Sequence, residues 1–174
     1  MKRFIGSALA IVSLALSAQG VSAQATVFVS GGASIPVSDY ADYAKIGYMA
    51  QAGISFPVGT AGLLAGVGGL YGSNNHDTDG DKTNLMGAAA FLQYEIGTTA
   101  YLFAGPGYVK HSYKSDTFPE GSASGLAAAG GGGINIPLGG LNGYVEGMYL
   151  TGFGDIDGTD AFVASFGATF PLGG

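Results

Sequence analysis

Beyond residue 24, apolar residues recur at every second position, and this period limits the fold more than any other feature of the sequence. A period of two is that of a β-strand, whose successive side chains point to opposite faces. In "IGYMAQAGISFPV" one face reads Ile46, Tyr48, Ala50, Ala52, Ile54, Phe56 and Val58, and the other reads Gly47, Met49, Gln51, Gly53 and Ser55. "NLMGAAAFLQYEI" sets Met86, Leu92, Tyr94 and Ile96 against Gly87, Phe91, Gln93 and Glu95. "AFVASFGATFPL" sets Phe162, Phe166, Phe170 and Leu172 against Val163, Ser165, Gly167 and Thr169. One face of each segment is wholly apolar; the other is mostly polar or very small.

Eight such segments follow one another, at about 25–35, 46–57, 61–72, 84–96, 100–113, 124–137, 141–151 and 161–172. Their connections alternate long, short, long, short, long, short, long. The short ones carry no charge, and ten of the twelve acids fall in the long ones. Segments of roughly ten residues with an apolar outer face suit tilted strands crossing a bilayer, and an even number returns both chain ends to one side. The fifth segment, "AYLFAGPGYVKHSY", is apolar on both faces and holds Pro106, which lacks a ladder donor, so a bulge or local distortion is expected there.

Composition agrees. Charged residues make up 10% of the chain, against about 25% in ordinary soluble domains, yet no apolar run of membrane-helix length occurs beyond the N-terminus. "MKRFIGSALAIVSLALSAQGVSAQA" has two basic residues, an apolar stretch and small-x-small sites after Ala23 and Ala25. Residues 1–23 are expected to be a cleaved secretory signal peptide and 24–174 the barrel domain. Removing the signal leaves four lysines against twelve acids, a formal net charge of −8 with no arginine. Such a chain offers no basic patch for nucleic acid. Cysteine is absent, which excludes disulfide and thiol chemistry.

The signal peptide, the eight alternating segments, "YLFAGPGYVKHSY" with its Gly-x-Gly-Tyr core, "GYVEGMYLTGFGD" and the closing "FVASFGATFPL" together resemble the small outer-membrane β-barrel family of OmpA membrane domains, OmpX-like proteins and opacity-type porins. The resemblance covers the chain from residue 24 onward. It implies an all-β, eight-stranded antiparallel up-and-down transmembrane barrel in the outer membrane of a Gram-negative-type bacterium, with short periplasmic turns and longer extracellular loops. It also implies outer-membrane lipid, lipopolysaccharide and the barrel assembly machinery as partners, and a monomer. Two departures stand out: Pro171, Leu172, Gly173 and Gly174 follow the last aromatic residue, and the interior has no arginine to pair with its acids.

The inward faces place Gln51, Gln93, Glu95, Asn135 and Glu146 among many glycines, including Gly131 and Gly133. The two carboxyls lack a cationic partner, because the only lysine within a segment, Lys110, falls at the other end; water and the amides are expected to satisfy them. Tyr48, Tyr71, Tyr94, Tyr101, Tyr113, Tyr149, Phe56 and Phe170 fall near segment ends, as interfacial girdles do. Eight strands leave room only for side chains, whereas aqueous channels need about 16–18 strands, so a narrow minor pore is the second reading.

A lipid-modifying enzyme is the third. His111 and Ser112 are adjacent and so point to opposite faces, His76 lies in a loop where histidines are usually solvated, and no nucleophile elbow occurs. Asp77, Asp79 and Asp81 in "NNHDTDGDKTN" have the alternate spacing of a calcium loop, but Lys82 stands where the motif has glycine and Ala88 where it has glutamate. Solvated loop tips are the first reading and weakly bound calcium the second; no resident cofactor is expected. The first reading of function is a structural or surface-interaction barrel whose acidic outer loops meet an extracellular ligand.

Overall fold

The computed structural model describes residues 24–172 apart from 60, 118 and 140. The expected signal peptide, residues 1–23, and the final Gly173 and Gly174 lie outside the described residues. Eight strands run β1 Ala25–Pro36, β2 Gly47–Pro57, β3 Leu63–Asn75, β4 Lys82–Ile96, β5 Ala100–Lys114, β6 Gly121–Leu138, β7 Leu141–Gly152 and β8 Ala161–Leu172. Each pairs antiparallel with its neighbours in sequence, and β1 closes on β8 from Ala25–Leu172 to Pro36–Ala161, so the barrel has no free edge. Ala25 of β1 and Leu172 of β8 lie on the side of the short turns, called here the turn end; the four longer connections cluster at the other, the loop end.

The period-2 assignment of faces holds. Tyr48, Met86, Leu92, Leu102, Leu126 and Phe166 are exposed on the outer wall, while Met49, Leu85, Val109 and Val163 are buried inside. The outer wall is therefore an apolar belt of the kind lipid covers. Tyr48, Tyr71, Tyr108 and Tyr149 are exposed on it near the loop end, and Tyr94 and Phe170 near the turn end.

Two members of the expected girdle belong elsewhere. Tyr101 is 4% exposed and points into the barrel, and Tyr113 shares its inward parity and bonds within the mouth. The ambiguous parity of the fifth segment hid this, since both of its faces are apolar. The same parity sends Lys110 to the outer surface, exposed and near the loop end.

Pro106 disturbs β5 without bulging it. The β4–β5 ladder skips the pairs Ala90–Pro106 and Phe91–Gly105 and resumes in the same register at Leu92–Ala104. Without its N–H, Pro106 cannot complete the exchange with Ala90. On its other side β5 stays paired to β6 without a break.

The rim is uneven. β4, β5 and β6 have 15, 15 and 18 residues, whereas β1, β2, β7 and β8 have 12, 11, 12 and 12.

Candidate functional site: two compartments separated by an apolar layer

The inward face is not uniformly polar or small, as the sequence had suggested. Across the upper half of the bore, Met49, Leu70, Leu85, Val109, Ala127, Met148, Leu150 and Val163 form one buried cluster. They come from seven of the eight strands, each at the level where its strand approaches the loop end. Glycines at inward positions leave the width that these larger side chains fill: a Cβ at Gly72 would lie 3.4 Å from Met49 Cε, and one at Gly87 2.8 Å from Val109 Cγ2. Alternating small and large residues is how a narrow barrel packs its interior. Ile156, in a short 3₁₀ helix of the fourth loop (Gly154–Ile156), turns inward and caps this layer against Gly125 and Gly152.

Below the layer is a cavity of about 440 Å³. All five predicted interior polar residues, Gln51, Gln93, Glu95, Asn135 and Glu146, line it. Leu70 and Met148 of the apolar layer form its roof, and Thr26, Thr98 and Pro171 place its mouth at the turn end. The Tyr101 hydroxyl donates to Glu146 Oε2 at 2.8 Å. The partner of this carboxyl is thus a phenol and not the expected water or amide. The signal was the inward parity of Tyr101, two positions from the chain reversal at 97–99 and level with Glu95.

Above the layer lies an open cup of about 720 Å³ at the loop end. Tyr40, in the first loop's 3₁₀ helix (Ser38–Asp42), folds down into it and is 1% exposed. Burial pushes its hydroxyl up to about 12. His76 is buried rather than solvated: its Nε2 pairs with Thr83 Oγ1 at 2.8 Å, and the rings of Tyr43 and Tyr113 each lie 5.3 Å from it. His111 is also buried, with Nδ1 lacking a hydrogen-bond partner, and its ring faces Tyr40 at 6.4 Å. Ser112 lies at the opposite parity, so the pair cannot act together as nucleophile and base.

The three aspartates of the second loop diverge. Asp77 pairs with Lys45 at 3.5 Å on the surface, Asp79 is exposed, and Asp81 turns inward to accept a hydrogen bond from the Tyr113 hydroxyl. Among the described residues no three acidic, histidine or cysteine side chains are grouped so as to hold a metal ion.

The first and second loops are stitched together. Asn74 donates to the carbonyls of Ser34 at 3.1 Å and Lys45 at 2.9 Å and accepts from the Ser34 hydroxyl at 3.1 Å. The Lys45 N–H donates to Asn75 O at 2.7 Å, and the Asp77 N–H to Tyr43 O at 3.1 Å. Replacing Asn74 by alanine leaves buried acceptors unpaired at about 1–3 kcal/mol per group. The expected result is a loop end that protease cuts several times faster while the barrel still resists detergent, measured by limited proteolysis of the folded protein.

Acidification should loosen the same region. Burial holds the His76 imidazole below its usual 6.5, and the hydroxyls of Ser115 and Tyr113 hold the Asp81 carboxyl below its usual range. A base with a lowered folded pKa binds fewer protons folded than unfolded, so its stabilising contribution is complete above pH 6.5 and declines as pH falls below it. The contribution of Asp81 persists until pH falls below the ordinary aspartate range. The expected result is a first increase in loop cleavage as pH falls below about 6.5 that His76→Gln reduces, read from proteolysis rates with an acid-tolerant protease.

Solved structures share this architecture. A major outer membrane protein of Thermus thermophilus superimposes with TM-score 0.65 and 12% identity over 87% of this chain and all of that one. Neisserial surface protein A gives 0.54 and 11% over 86% of this chain and 97% of its own. The N-terminal β-barrel domain of Pseudomonas aeruginosa OprF gives 0.53 and 12% over 86% and 99%. No protein-family model and no curated protein matches the sequence. At these identities the likeness is one of fold: an eight-stranded barrel of the outer-membrane type.

Proposed function

We propose that this small outer-membrane β-barrel is a non-conducting surface anchor that presents its loop-end cup to an extracellular ligand. The observation that carries the reading is the apolar layer from Met49 to Val163, which interrupts the bore between the cup and the lower cavity. Residues on loops held by a rigid scaffold are where recognition usually sits. Here the loops are held firmly, with Tyr40 and Ile156 buried in the barrel mouth. The cup offers aromatic rings, hydroxyls, two imidazoles and Asp81, a set suited to a polar, uncharged or cationic ligand. The opposite parities of His111 and Ser112, and the diverging second-loop aspartates, support binding over hydrolysis or calcium capture.

The test is conductance in planar bilayers containing the folded protein. No discrete current steps are expected at any voltage the bilayer withstands. Reproducible steps from a heat-modifiable, monomeric preparation would favour the narrow-pore reading instead.

A further inference from the structure

We infer that the lower cavity is a binding site for a small organic ammonium ion carrying an acceptor oxygen, admitted from the turn end of the barrel. It is separate from the cup and does not depend on the cup's function. Charge sets the ligand's sign: Glu95 and Glu146 line the cavity, and no basic side chain does among the described lining residues. Of the four lysines beyond the signal segment, Lys45, Lys82 and Lys114 stand at the loop end, and Lys110 is exposed on the outer wall level with the apolar layer. The walls set its character. Tyr101 meets Tyr144 edge to face at 6.3 Å and Phe28 meets Phe91 at 5.7 Å, so aromatic rings bound the space that the carboxyls face. Aromatic walls beside an acid favour ammonium groups, quaternary ones included. A bare metal ion is disfavoured, since no ligand group for one is assembled among the described residues.

Gln51 supplies the second requirement. It lines the cavity, and its Nε2 is buried without a hydrogen-bond partner. That donor is covered as it stands, and a rotation of the Gln51 side chain would present it to an oxygen on the ligand. The volume of about 440 Å³ lies at the small end of the range for small-molecule sites, large enough for an amino alcohol and too small for a polymer. Leu70 and Met148 close the roof, so the ligand comes and goes from the turn end alone.

The experiment is calorimetric titration of the full barrel, folded in glucoside micelles that carry no ammonium headgroup. The probes are choline and its uncharged carbon isostere, dimethylbutanol. Saturable choline binding is expected, at least tenfold tighter than the isostere, with Glu146→Gln weakening choline at least tenfold. Tyr101→Phe keeps the ring and releases the carboxyl, so its choline affinity should equal or exceed that of the wild type. Equal affinity for choline and isostere, no saturable choline binding, or a Glu146→Gln protein that binds as well as the wild type would each overturn the assignment. So would a loss in Tyr101→Phe as large as in Glu146→Gln. The comparison of choline with isostere uses the wild type alone, so it stands even if a variant does not fold.

Discussion

Gly105→Val is expected to abolish the compact, detergent-resistant form of the barrel, so that boiled and unboiled samples migrate alike on a gel. A Cβ at Gly105 would collide with the Ala90 carbonyl oxygen, and the next contacts are also backbone atoms of β4. No side-chain rotation relieves a clash with main chain. The strands would have to part where Pro106 has already left the ladder without two pairs. Overpacking a well-packed interior costs about 1–3 kcal/mol when neighbours can yield, and more when they cannot. Gly105→Ala should therefore lower the urea midpoint clearly, and Gly105→Val should prevent folding. Gly130→Ala is the control. Its Cβ would first meet Phe103 O at 3.6 Å, an ordinary contact, so its midpoint should stay close to the wild type. A Gly105→Val barrel with normal heat modifiability would show that β4 and β5 separate there freely, and the account of the skipped pairs would fail.

The second large effect concerns the apolar layer. In the Met49→Ala, Met148→Ala double variant, discrete current steps are expected in bilayers where the wild type is silent. Both side chains are almost fully buried, at 2% and 3% exposed, and Met148 also roofs the lower cavity. Cutting both back joins the cavity to the cup. Each Met→Ala change costs about 2–5 kcal/mol, so the double variant must first be shown by its heat-dependent gel shift to be folded. Silence from a folded double variant would mean that Leu70, Val109 and Leu150 close the bore unaided. The closure would then lie in the whole ring of strands and not in these two residues.

Much of this architecture was legible because a barrel wall writes itself into sequence twice, once as a period of two and once as alternating loop lengths. Gln51, Gln93, Glu95, Asn135 and Glu146 were placed inside by parity alone, and all five line the lower cavity. What parity cannot supply is height and convergence. Met49, Leu85 and Val163 carry the same alternation as the polar inner residues, and only the register between strands puts them at one level. Tyr101 was misread because both faces of β5 are apolar, which removes the contrast that parity needs. His76 was read as solvated because it sits among loop residues. Its burial comes from the first loop folding over it, a long-range packing event with no local signal. The divergence of Asp77, Asp79 and Asp81 was likewise invisible to spacing, since Tyr113 on a different strand draws Asp81 away.

The unequal strand lengths give the molecule a front and a back. On the β4–β6 side the wall continues as a palisade past the level where β1, β2, β7 and β8 stop. A visitor descending along the barrel axis meets this parapet on one flank and, on the other, the first and fourth loops, which fold Tyr40 and Ile156 into the mouth. Anything larger than a small molecule therefore meets these two loops before it meets the cup, with the taller wall facing them across the mouth.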